Sequence, residues 1–145
     1  MILFETLKEI KSKLIKIILD SNLLDDECMN MLGEFIQYSE TIEKITISRN
    51  IITDKGIEIL SEHLIGNITL KTLDISGNEG ITDKSLPYLI DIAKKTSVTS
   101  MYIFNATLSK ENQEELKKLV KIPIDEREIP IKSKSKSAAK ISMYE

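Results

Sequence analysis

Few side chains in this chain are able to do chemistry, and their types and spacing set what that chemistry is. There is one histidine, His63, and one cysteine, Cys28, so the sequence holds neither a zinc ligand set nor the makings of an internal disulfide. It has no glycine-rich phosphate loop, no serine nucleophile motif and no helical metal motif. The acids fall at expected helix starts or on helix faces, without a convergent pair for acid–base work. What remains is binding chemistry. Tyr102 and Phe104 stand two residues apart in a chain with only 5% aromatics, so on a strand both rings project from one side. Paired aromatics on an open surface are typical anchors for a partner, each worth on the order of 2 kcal/mol or more of binding.

The elements that must position those rings follow from a repeat. Leu14, Ile42, Leu70 and Val98 recur at a spacing of 28 residues. So do Ile17, Ile45, Leu73 and Met101, and likewise Leu19, Ile47, Ile75 and Ile103. Asn22, Asn50 and Asn78 form a fourth column, broken by Ala106. A fixed period of this size marks a solenoid of stacked units, which presents a long concave surface and whose core exists only through stacking. Alternation of apolar residues around Ile17, Ile45, Leu73 and Met101 predicts short strands. An asparagine then satisfies backbone groups at the turn. Leu24, Ile52, Ile81 and Leu108 come next. Asp25-Asp26, Thr53-Asp54, Thr82-Asp83 and Ser109 follow as helix starts. The helical stripes read Met29/Ile57/Leu86, Leu32/Leu60/Leu89 and Ile36/Leu64/Ala93. His63 shares a column with Phe35 and Ile92, a packing position. Cys28 shares one with Gly56 and Ser85, where a small residue is needed between helix and strand. Helices that return the chain between strands make the sheet parallel and the crossovers right-handed.

The segment Ile42-x-x-Ile45-x-Ile47-x-x-Asn50-x-Ile52-Thr53-Asp54-Lys55-Gly56-x-x-x-Leu60-x-x-x-Leu64 resembles the leucine-rich repeat of the ribonuclease-inhibitor type. Leu70-x-x-Leu73-Asp74-Ile75-Ser76-x-Asn78 is similar to it too. Tropomodulins, Ran GTPase-activating proteins and NOD-like receptors share that repeat class. The resemblance spans roughly residues 14–120 and is strongest in the second and third units. It implies an α/β fold: a short solenoid of about four 28-residue repeats, starting near 14, 42, 70 and 98, with a parallel concave sheet and outer helices. The departures are isoleucine for leucine at many columns, an extra residue before Ile81, and the missing ladder asparagine in the fourth unit.

At the ends, apolar residues at helical spacing predict a capping helix over 1–13. Ile129 and Ile131, 28 residues after Met101 and Ile103, predict an edge strand or cap over 121–131. Pro123 and Pro130 suit an edge. Residues 132–145 read as a disordered basic tail. Four lysines against one acid give this tail +3, which leaves −6 on the rest of a chain of net charge −3. No apolar stretch approaches membrane-spanning length. One cysteine points to a reducing compartment, cytoplasm or nucleus.

In the strands, the residues between the inward columns face the concave side. The expected site has Tyr102 and Phe104 as anchors, with Asp74, Ser76, Thr46, Ser48, Arg49 and Lys44 supplying polar specificity. A fold-back of the C-terminal segment, or an inward turn of the fourth unit, would cover the rings instead. The expected function is a non-catalytic, monomeric protein-interaction adaptor without a cofactor. Its partner is a protein of unknown identity, with no small-molecule substrate, nucleic acid or membrane span. Two alternatives follow from the resemblance: a GTPase regulator using Arg49, and a tropomodulin-like binder of actin or the cytoskeleton.

Overall fold

The computed structural model describes residues 14–37, 39–104 and 106–123. The expected capping helix over 1–13, the tail over 132–145 and most of the 121–131 segment lie outside these residues. Strand and helix alternate along the chain: β1 (Lys16–Ile18), α1 (Asp26–Gln37), β2 (Lys44–Thr46), α2 (Asp54–Leu64), β3 (Thr72–Asp74), a 3-10 turn (Asp83–Ser85) leading into α3 (Leu86–Lys95), β4 (Ser100–Tyr102) and α4 (Lys110–Lys117). The strands form one parallel sheet in the order β1-β2-β3-β4. Lys16, Lys44, Thr72 and Ser100 are successive register partners, so the pairing repeats the sequence period residue for residue. This is a short leucine-rich repeat solenoid.

Its core is the set of inward columns. Ile42, Ile45, Ile47, Ile52, Ile57, Leu60, Leu64, Leu70, Leu73 and Ile75 have no exposed surface. At the N-terminal end Leu14, Ile17, Leu19 and Leu24 are only partly buried. The third helix departs from the expected stripe. Leu89 and Ile92 are fully buried, whereas Leu86 and Ala93 are partly so. In this unit the extra residue precedes Ile81, and a 3-10 turn stands ahead of the helix.

Two polar ladders join the units. Asn50 Oδ1 accepts from the N–H groups of Asn22 (2.9 Å) and Leu24 (3.0 Å), while its Nδ2 donates to the carbonyls of Leu19, Ile47 and Ser48. Asn78, fully buried, repeats this one unit on. Its Oδ1 accepts from the N–H groups of Asn50 and Ile52, and its Nδ2 donates to the carbonyls of Ile47 and Ile75. The second ladder runs along the helix starts. Asp26 accepts from Thr53 N–H and Oγ1 (2.8 and 2.6 Å), Asp54 from Thr82 N–H and Oγ1 (both 2.7 Å) and from Ser85 Oγ, and Asp83 from Ser109 N–H (2.7 Å).

That second ladder carries a pH dependence. Burial opposes ionisation of Asp54, but the hydrogen bonds from Ser85 and Thr82 outweigh it and hold the carboxyl below the ordinary aspartate range. The folded state therefore binds this proton less readily than the unfolded chain, whose aspartates titrate near about 3.9. The stability contributed is present above that value and is lost as pH falls through the lower folded value. Asp54→Asn should lower stability at neutral pH and flatten the acid loss. Urea melts at several pH values from neutral to acid test this, and parallel curves for the two proteins would contradict it.

Candidate functional site

The open face of the sheet, opposite the helices, is built from the residues between the inward columns. Tyr102, at the end of β4, and Phe104, two residues on, project together as expected. Their ring centroids lie 5.8 Å apart at 77° between planes, an edge-to-face pair. Both are half-buried. The Lys44 ammonium lies 5.7 Å from the Tyr102 centroid, within cation–π range. It reaches there from β2, so it must cross β3, where its register partner is the smaller Thr72. The backbone beneath Phe104 is tied to the third unit, because Phe104 N–H donates to Ser76 Oγ (3.1 Å) and Gly77 N–H donates to Phe104 O (2.7 Å).

The other expected site residues divide by accessibility. Thr46 and Ser76 retain only 6% and 8% of their surface. Thr46 Oγ1 donates to Asp20 Oδ2, and Ser48 N–H donates to Asp20 Oδ1 (2.8 Å), so these positions fasten the first unit to the second. Ser48 is half-buried. Asp74, half-buried and in register between Thr46 and Tyr102, accepts at Oδ1 from Ser76 N–H. Arg49 is exposed at the lip of the face, with a left-handed backbone (φ 53°). Ser21 and Gly77 take the same conformation at the equivalent positions of their units (φ 58° and 69°). Asn105, the equivalent in the fourth unit, lies outside the described residues. The structure thus gathers Lys44, Asp74, Tyr102 and Phe104 on one accessible floor. It sets Arg49 at the rim and uses the hydroxyls of Thr46 and Ser76 for joints between units.

Two residues beyond the expected set belong to this face. Exposed Lys16 is the register partner of Lys44, and Asp20 is the clamp just described. Their signal in the sequence is the period itself, since each falls in a face column. Downstream of the rings, Lys121 N–H donates to Thr99 O (2.9 Å) and its carbonyl accepts from Met101 N–H (3.0 Å), so the chain returns to the far edge of β4. His63 lies between α1 and α2, with Nε2 3.1 Å from Asn30 Oδ1 and Nδ1 3.4 Å from Gln37 Oε1. Burial pushes the Cys28 thiol above its ordinary range, so the reactive thiolate is disfavoured. Among the described residues no group of three or more metal-ligating side chains comes together, and no helix is long and apolar enough to cross a membrane.

A leucine-rich repeat family model matches residues 66–86, the stretch that leads into and through β3. No curated protein matches the chain in sequence. Among solved structures, the chain is similar to leiomodin-1 actin-binding site 2, with a TM-score of 0.65 and 16% identity over 79% of this chain and 70% of that one.

Proposed function

We propose that this chain is a non-catalytic protein-interaction module of the ribonuclease-inhibitor repeat type, acting in a reducing compartment and binding a protein partner through the open face of its sheet. The observation that carries this reading is the cluster of Tyr102, Phe104 and Lys44. Two half-exposed rings are fixed edge-to-face on a rigid strand array, beside a cation that already lies against one of them. Rigid aromatics lose little entropy on binding, and anchors of this kind carry a disproportionate share of interface energy. The test is capture from lysate with wild type beside a Tyr102→Ala/Phe104→Ala variant of verified fold. A partner held by the first should be lost, or bound roughly a thousandfold more weakly, by the second. Equal capture by both would move the site off this face.

A finer version is an actin binder, supported by the fold shared with leiomodin-1 actin-binding site 2. Co-sedimentation with filaments and titration of labelled monomer decide it, and silence in both assays removes that version. A second reading uses Arg49 as the residue presented to a GTPase. In its favour, the arginine is exposed at the lip of the open face, on the left-handed turn position that the neighbouring units share. Arg49→Gly should stabilise the fold by up to about 1 kcal/mol, since glycine adopts this conformation without strain. It should also abolish any stimulated GTP hydrolysis across a panel of small GTPases. Hydrolysis that survives the substitution would eliminate the arginine.

A further inference from the structure

The open face carries two lysines and two aspartates, but Asp20 already spends its oxygens on Thr46 and Ser48, and the basic charge is gathered in one column. The whole sequence is net negative, yet the first face column reads Lys16, Lys44, Thr72, Ser100, and its two lysines are direct register partners on adjacent strands. Like charges side by side on one face destabilise a sheet unless something compensates them. The ion pairs among the described residues, Lys55–Glu58, Lys95–Asp91 and Lys117–Glu114, all lie on helices. Neither Lys16 nor Lys44 has a carboxylate within pairing distance among those residues. Asp74 uses Oδ1 for Ser76 N–H, and among the described residues its Oδ2 accepts nothing, which leaves an acceptor in the middle of the floor.

We propose that this face docks an extended acidic segment of a partner protein, carrying an aromatic or aliphatic side chain a few residues from its acids. The inference rests on the open-face reading above and adds the chemistry of the partner. Carboxylates of the segment meet Lys16 and Lys44, and the apolar side chain seats on Tyr102 and Phe104. A backbone N–H of the segment donates to Asp74. Adjacent strands lie about 4.8 Å apart, so the floor from β1 to β4 spans roughly 14 Å, or about four residues of extended chain. This sets the spacing between the acids and the anchor. A single-stranded nucleic acid would also meet lysines and rings, but its continuous phosphate backbone would have to cross Asp74. Charge complementarity therefore favours the peptide.

The test is selection of a phage-displayed library of random peptides, about 12 residues long, on the full chain. Enriched peptides are then titrated against wild type, Lys16→Gln/Lys44→Gln, Tyr102→Ala/Phe104→Ala and a helix control, Lys55→Gln, all checked for fold by circular dichroism. The expected result is enrichment of acids three to five positions from an aromatic or large aliphatic residue. Binding should weaken about tenfold in the lysine double variant, remain unchanged in the control and fall as salt rises. Enrichment without acids, no enrichment at all, or affinity unaffected by the lysine variant would overturn the proposal. So would oligothymidylate that competes at the same face with equal affinity. Neutral peptides that still depend on the two rings would sink the acidic partner and leave the open-face reading standing. Peptides indifferent to the rings would sink both.

Discussion

Asn78→Ala should cost on the order of 4 kcal/mol of stability, enough to unfold much of a marginally stable solenoid. The amide is fully buried and serves four backbone groups well within hydrogen-bond distance: Asn50 N–H and Ile52 N–H on Oδ1, Ile47 O and Ile75 O on Nδ2. Alanine leaves the N–H groups of Asn50 and Ile52 and the Ile75 carbonyl without this partner in a fully buried site, while Ile47 O keeps Asn50 Nδ2, and each unpaired buried group costs roughly 1–3 kcal/mol before relaxation. Asn50→Ala should cost less. The N–H groups it serves, on Asn22 and Leu24, lie at the less buried first unit, where water can replace the lost bonds. Urea denaturation of both variants measures the difference. A loss for Asn78→Ala no larger than that for Asn50→Ala would contradict the ladder as the main joint between units.

Gly33→Leu should be comparably severe, at about 3 kcal/mol. Gly33 lies inside α1, where glycine is ordinarily a cost and alanine an improvement of about 1 kcal/mol. Here the usual sign is reversed. A Cβ at this position would stand 2.5 Å from His63 Cδ2 and 2.7 Å from His63 Cβ. The ring is able to rotate away, but the Cβ is fixed to the α2 backbone, so the two helices must separate. Gly33→Ala should therefore destabilise by about 1 kcal/mol after the propensity gain is subtracted. Adding His63→Ala should restore only part of the loss, because His63 Cβ remains. Thermal melts of the single and double variants test this, and a Gly33→Ala protein more stable than wild type would show that the helices have room to shift.

The residue types in the columns carried most of the architecture. Ile45, Leu73 and Met101 sit where the spacing of 28 put them, and the strand register reproduces that spacing without a slip. The ladder asparagines were legible because a turn between stacked units must satisfy its own backbone. The face columns were legible too, since alternation in a strand leaves no freedom about which side a residue takes. The pairing of Tyr102 with Phe104 follows from that rule alone.

Which face residues stay accessible was not legible. Thr46 and Ser76 occupy outward positions, yet Asp20 and the Phe104 backbone cover them. Periodicity assigns a side, whereas accessibility depends on what neighbouring units lay over that side. The cation over Tyr102 was also hidden, because Lys44 and Tyr102 belong to strands that are not adjacent and meet only across Thr72. The burial of Ile92 rather than Ala93 in α3 was hidden as well, since the sequence showed an extra residue before Ile81 but not how the following helix would rotate. By itself the sequence determined the repeat, the parallel register and the face on which each side chain lies, since these follow from a period and from strand geometry. Only the tertiary structure decided which of those side chains remain free to bind, because that depends on contacts between units many residues apart in the chain.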